Sequence, residues 1–336
     1  MIKRGLCLLA AVSLLLCGCS GAFSKEKQYS VTYLNLFDTV TTIVGYKDSQ
    51  EEFQAAAKAV YDGLEEYHRL FDIYNTYEGV VNLKTVNDMA GMAPVKVDAR
   101  ILQLLRDCKG FYEATGGKVN VAMGSVLSLW HDARSQGLDD PQNARLPDQK
   151  LLEEAARHTD LNGVILDEEA STVYFSDPLL RLDVGAVAKG WAVQKVAESA
   201  APGLLISVGG NVCATGPKDE AGTAWVVGVQ HPNGGEGYLD TIELTGGSVV
   251  TSGDYQRSYV VDGKNYHHII DPDALYPSQY WRSVTVVCPD SGTADALSTA
   301  LFLLSLEEGK ALLQKYDAEA MWMDGDGELF YSAGFR

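Results

Sequence analysis

Beyond about its thirtieth residue this chain never settles into a strict strand–helix alternation, and that irregularity limits its fold more than any other feature. Residues 31–46 alternate and are rich in Val, Thr and Ile, which predicts a strand or hairpin. Residues 51–70 carry Phe53, Val60, Leu64 and Tyr67 at helical spacing. Asp98 caps a helix expected over 99–114, and Asp148 caps another running to His158. Short strands at 164–166 and 172–175, a helix over 185–200 and a buried strand at 204–208 follow. A strand-rich run covers 224–261, turns at Asp262-Gly263 and resumes at 264–270 and 283–288. Helices over 293–304 and 306–316 precede a last hairpin about Asp324-Gly325-Asp326-Gly327. A doubly wound parallel sheet requires regular alternation, so the expectation is α+β, with mixed sheets and packed helices. No Pro/Ser-rich linker and no repeat divides residues 31–336, which read as a single large domain.

The N-terminus is a targeting segment. Lys3 and Arg4 precede an apolar run at 6–16 that is too short to span a bilayer. Leu16-Cys17-Gly18-Cys19 then fits a bacterial lipobox, with the small Gly18 before Cys19. Residues 1–18 are expected to be a lipoprotein signal peptide, Cys19 the lipidated residue and 19–30 a tether. The domain would then sit on the extracytoplasmic face of the bacterial cell membrane. Cys108, Cys213 and Cys288 remain in the body, widely spaced and odd in number. They suit small core positions better than a disulfide framework or a zinc site.

Lys and Arg number 27 against 45 Asp and Glu, a formal net charge of −18. Such a surface repels nucleic acid. Any anionic small molecule would need local compensation from backbone N–H groups, a lysine or a metal ion.

Four segments carry candidate chemistry. In Ala294-Asp295-Ala296-Leu297-Ser298-Thr299-Ala300-Leu301, Asp295 and Thr299 share a helix face among apolar neighbours. Two hard oxygens side by side suit Mg²⁺, although Asp295 as a helix cap and Thr299 bonded to a backbone carbonyl would give the same letters. Asp183-Val184-Gly185-Ala186-Val187-Ala188-Lys189-Gly190 reads as a small-residue turn opening a helix, where a phosphate can approach the backbone and Lys189 can neutralise it. It lacks the P-loop pattern. Ser207-Val208-Gly209-Gly210-Asn211 ends a strand in two glycines. Thr251-Ser252-Gly253-Asp254-Tyr255 is joined across a hairpin to His267-His268-Ile269-Ile270-Asp271-Pro272, where His268 can serve as proton acceptor or phosphate donor, although a satisfied histidine beside an Asp-Pro turn would give the same letters.

Together and in this order, these segments resemble the ApbE family of FAD:protein FMN transferases. The resemblance extends to Thr39-Val40-Thr41-Thr42-Ile43 and Phe71-Asp72-Ile73-Tyr74. It implies a T-fold-like domain and a metal held by Asp295, Thr299 and the Ala186 carbonyl. It implies FAD contacts at Phe37, Tyr74, Lys118, Val119, Asn120, Asp183, Lys189 and Ile270. Phe37-Asp38-Thr39 departs from the family's commoner Met-Gly-Thr, and Asn120 stands where Asp is frequent. The implied reaction is Mg²⁺-dependent attack of a Ser or Thr hydroxyl of an acceptor protein on the FMN-side phosphorus, releasing AMP. His268 or Asp271 would take the proton. The acceptor's Ser/Thr-Gly-Ala-Ser/Thr core is missing from this chain, so the target would be another protein, such as a membrane or extracytoplasmic redox subunit. FAD hydrolysis to FMN and AMP, or flavin binding without turnover, are the competing readings.

Overall fold

A computed structural model describes residues 27–235 and 237–335; the expected signal segment and Cys19 lie outside them. Its centre is an eight-stranded sheet. The strands run in the order Lys27–Leu36, Thr39–Lys47, Leu204–Val208, Asn211–Ala214, Gly247–Gly253, Ser283–Cys288, Glu319–Met323 and Leu329–Tyr331. Every neighbouring pair is antiparallel. The first strand begins at Lys27, so residues 27–30, assigned above to the tether, belong to the sheet. Tyr29 anchors them by stacking on Phe53 with ring centroids 5.6 Å apart.

The Gln50–Phe71, Ala188–Ala197 and Ser291–Phe302 helices build the main core with one face of this sheet. The other face is covered by a ribbon of Trp225–Gln230 and Tyr238–Leu244, whose Trp225, Val227 and Leu244 pack on Val212 and Val249. A smaller core lies between the Gly124–Asp139 helix and the Ser258–Val261/Lys264–His267 hairpin, around Val126, Trp130, Tyr259 and Val261. The cleft that matters opens among these parts.

Several boundaries differ from expectation. The helix expected from residue 185 starts at Ala188, because the Asp183 carboxylate accepts the Gly185 N–H at 2.9 Å and holds a turn. The strand expected to reach residue 270 ends at His267, whose Nδ1 takes the Ile269 N–H at 3.2 Å. The Gly124–Asp139 helix was not foreseen; Met123 stands at its cap and makes no side-chain cap bond, so the sequence carries no start signal. Cys108, Cys213 and Cys288 are all buried. No described helix is long and apolar enough to cross a membrane.

Candidate active site

One cleft of about 760 Å³ gathers segments from almost the whole described chain. Its walls include Phe37, Tyr74, Lys118, Val119, Asn120, Asp183, Ala186, Lys189, His268, Ile270, Asp295 and Thr299. Of the side chains expected at the site, Asp271 alone among the described residues is missing from the walls.

One corner of the cleft is built where two helices touch. Asp290, not Asp295, caps the Ser291–Phe302 helix, accepting the Thr293 N–H at 2.6 Å. Asp295 lies further in, 3% exposed, and its Oδ2 accepts the Gly190 N–H at 2.8 Å from the Ala188–Ala197 helix. That approach demands glycine, since a Cβ on residue 190 would lie 2.3 Å from the Ser291 carbonyl oxygen and 2.5 Å from Asp295 Cβ. Lys189 Nζ stands 3.6 Å from Asp295 Oδ2 and donates to the Gly185 carbonyl at 3.1 Å. Buried Ser298 donates to the Asp295 carbonyl at 2.9 Å and pairs with Ser252 at 2.8 Å, fixing the helix against the Gly247–Gly253 strand.

These donors fit a magnesium ion. Thr299 lines the cleft one turn beyond Asp295, and its hydroxyl is not bonded to a backbone carbonyl among the described residues. No three His, Cys, Asp or Glu side chains converge among the described residues, so no all-protein cage is formed. One carboxylate, one hydroxyl and the Ala186 backbone, all on the walls of this cleft, are a sparse oxygen set of the kind Mg²⁺ completes with water and phosphate.

The wall bearing Tyr74 is held by Asp72. This carboxylate accepts the Tyr74 N–H at 2.6 Å, the Asn75 N–H at 3.0 Å and the Tyr77 hydroxyl at 2.6 Å. Burial pushes Asp72 up, but the bonds from Tyr77, Asn75 and Tyr74 outweigh it and hold the group below the usual carboxylate range. Tyr74 itself is left open to the cleft, its ring 5.5 Å from that of His131.

Two of the expected residues are tied to neighbouring groups. Asp271 was a candidate proton acceptor; its carboxylate instead accepts from Lys118 Nζ at 2.9 and 3.1 Å, a bond that fixes where Lys118 enters the cleft. Asn120 lines the cleft, yet its amide donates to the Thr159 carbonyl at 2.9 Å and accepts the Ala122 N–H at 2.9 Å, so its polar atoms hold the local turn. His268 lines the wall, with Nδ1 enclosed and without a partner among the described residues. Burial, reinforced by Arg257, pushes its imidazolium down to about 3, so the ring is neutral. Burial also raises Asp183, partly offset by the Gly185 N–H and Arg257.

The sequence reading missed Arg134, Arg257 and His131, which share this cleft. Arg134 donates to His131 at 3.1 Å, and neither arginine forms an ion pair among the described residues. Burial and Arg257 together lower Arg134. A signal existed: on its helix Arg134 has no acidic residue three or four positions away, unusual in a chain this acidic.

The ApbE family's sequence model matches residues 37–322. The chain belongs to the ApbE family. Among relatives, a Treponema pallidum (strain Nichols) protein named FAD:protein FMN transferase is 32% identical over 347 residues, covering 98% of this chain and 92% of its own length. A Klebsiella pneumoniae (strain 342) protein of the same name is 30% identical, covering 84% and 86%. The crystal structure of an ApbE protein from Thermotoga maritima superposes with a TM-score of 0.79 at 30% identity, over 92% of this chain and 98% of that one. The ApbE flavin transferase of Vibrio cholerae shares the fold, with a TM-score of 0.76 at 22% identity over 92% and 98%.

Proposed function

We propose that this ApbE-family chain is a FAD:protein FMN transferase that moves FMN from FAD to a Ser or Thr hydroxyl of a separate acceptor protein. The observation that carries this is that Asp295, Thr299, Ala186 and Lys189 line the same cleft as Tyr74 and as Arg134 and Arg257, which form no ion pair among the described residues. In this reading Asp295, Thr299 and the Ala186 carbonyl would hold Mg²⁺, which supplies charge neutralisation at the diphosphate. Lys189, Arg134 and Arg257 add fixed positive charge where an acidic chain otherwise repels the ligand. The acceptor oxygen bonds to the FMN-side phosphorus, the bond from that phosphorus to the bridging oxygen breaks, and AMP leaves with the electron pair. His268, on the cleft wall, is the base of this reading and takes the hydroxyl proton once the anionic diphosphate beside it raises its basicity. Asp271 serves by steadying Lys118. From the lipobox at Cys19 we further propose a lipid anchor on the outer face of the cell membrane, where extracytoplasmic redox subunits would be the acceptors.

The test is mass spectrometry of a candidate acceptor after incubation with FAD, Mg²⁺ and the enzyme. An FMN-sized gain is expected, and it disappears with EDTA or with Asp295→Ala. Free FMN without acceptor gain would identify a hydrolase, and retained, unturned FAD a binding protein; either result rejects the transfer reading.

A further inference from the structure

The wall carrying Phe37 and Tyr74 is tied by one chain of hydrogen bonds centred on His68. The Phe37 N–H donates to His68 Nδ1 at 3.2 Å, and His68 Nε2 lies 3.3 Å from the Tyr77 hydroxyl. Tyr77 donates to Asp72 Oδ2 at 2.6 Å, while Asp72 Oδ1 accepts the Tyr74 N–H at 2.6 Å. Direction is fixed at each link. A backbone N–H can only donate, so Nδ1 is the bare nitrogen and Nε2 bears the proton. That proton faces the Tyr77 oxygen, whose own proton is committed to Asp72.

What His68 holds is strained. Phe37 and Asp38 both stand at φ 51, the left-handed region, in the two-residue turn between the first two strands. Such hairpin turns favour Asn-Gly or Asp-Gly, and here neither position is glycine. The Phe37 ring also packs edge-on against His68, with centroids 5.5 Å apart. The turn's aim therefore depends on an imidazole from the Gln50–Phe71 helix.

We propose that His68 is a positioning residue for flavin recognition: it locks the Phe37–Asp38 turn and, through Tyr77 and Asp72, Tyr74 into one rigid wall. This rests on the transferase reading, in which these residues meet the flavin. His68 lines the same cleft, but both ring nitrogens are engaged by the wall's own bonds, so its loss weakens ground state and transition state alike.

His68→Leu keeps bulk and removes both nitrogens. The expected result is a KM for FAD raised about tenfold with kcat unchanged, the scale of one lost positioning bond. Amide exchange at Phe37 and Tyr74 should quicken in the FAD-free protein. Adding Asp38→Gly, which relieves the left-handed turn, should recover most of the KM. Tyr77→Phe removes the two links through its hydroxyl, to His68 and to Asp72, leaves the Phe37–His68 bond intact and should raise KM several-fold, which covers the case of a poorly folded leucine variant. An unchanged KM in Tyr77→Phe and in folded His68→Leu overturns the proposal, as does a fall in kcat at constant KM or a failure of Asp38→Gly to rescue. A wild-type protein that binds no FAD would sink the transferase reading and this inference together; failure confined to the variants sinks only the inference.

Discussion

His268 shows how one buried ring ties stability to acidity. Its folded value lies at about 3, below that of a free imidazole, so the unfolded chain binds the extra proton first as pH falls. Stability should therefore drop from about pH 6.5 downward until pH approaches the folded value. In denaturant titrations His268→Gln should flatten that limb, and an unchanged slope would refute the assignment. Asp38 offers a second residue-scale check. Replacing it by glycine removes a left-handed non-glycine residue and should raise unfolding stability by about 0.5–1 kcal/mol, read from the denaturant midpoint. At this scale the sequence marks polar residues that break an apolar helix face, and Asp295 and Thr299, so marked, both line the cleft. It leaves Asp271 open, because an Asp before Pro looks the same whether it faces a ligand or, as here, pairs with a lysine. Arg134 stands on a helix without a capping signal, so its missing acidic neighbours are the sole mark it leaves in the sequence.

Between elements, the contact of the Ala188–Ala197 and Ser291–Phe302 helices decides whether Asp295 stands in place. Gly190→Ala should force the pair apart, costing about 1–3 kcal/mol in stability. Transferase activity should fall further than the loss of folded protein explains, which activity per folded molecule would reveal. Ser298→Ala breaks the hydroxyl link to Ser252 and should raise the Mg²⁺ concentration needed for half-maximal rate with little change in Tm. Caps and periodicity made most of these elements readable: Asp98 and Asp148 cap the helices expected of them. The ends that failed, at residues 185 and 270, are those where a side chain bonds back to its own backbone near the cleft. Such bonds follow from local geometry that propensity does not encode.

Across the whole molecule, α+β was legible from irregular element order, but the strand order was not. Pairing of Thr39–Lys47 with Leu204–Val208 joins segments with no sequence cue linking them. The cleft likewise draws on residues from Phe37 to Leu303, so its shape belongs to the assembled chain. Lys118 and Asp271 bridge two such distant segments. Lys118→Met should raise KM for FAD while leaving Tm nearly unchanged if the lysine serves the ligand; a large Tm loss with unaltered KM would show a purely structural brace.

The same pairing has a consequence for how the chain is made. Ile43 and Val44 leave the ribosome long before Ile206 and Leu205, their partners in the sheet. Until those arrive, the emerging hairpin presents an unmatched row of amides and carbonyls, a template for joining other nascent chains. Fragments ending short of Leu204 should therefore precipitate during synthesis unless a chaperone shields them, whereas the full-length polypeptide closes that edge itself.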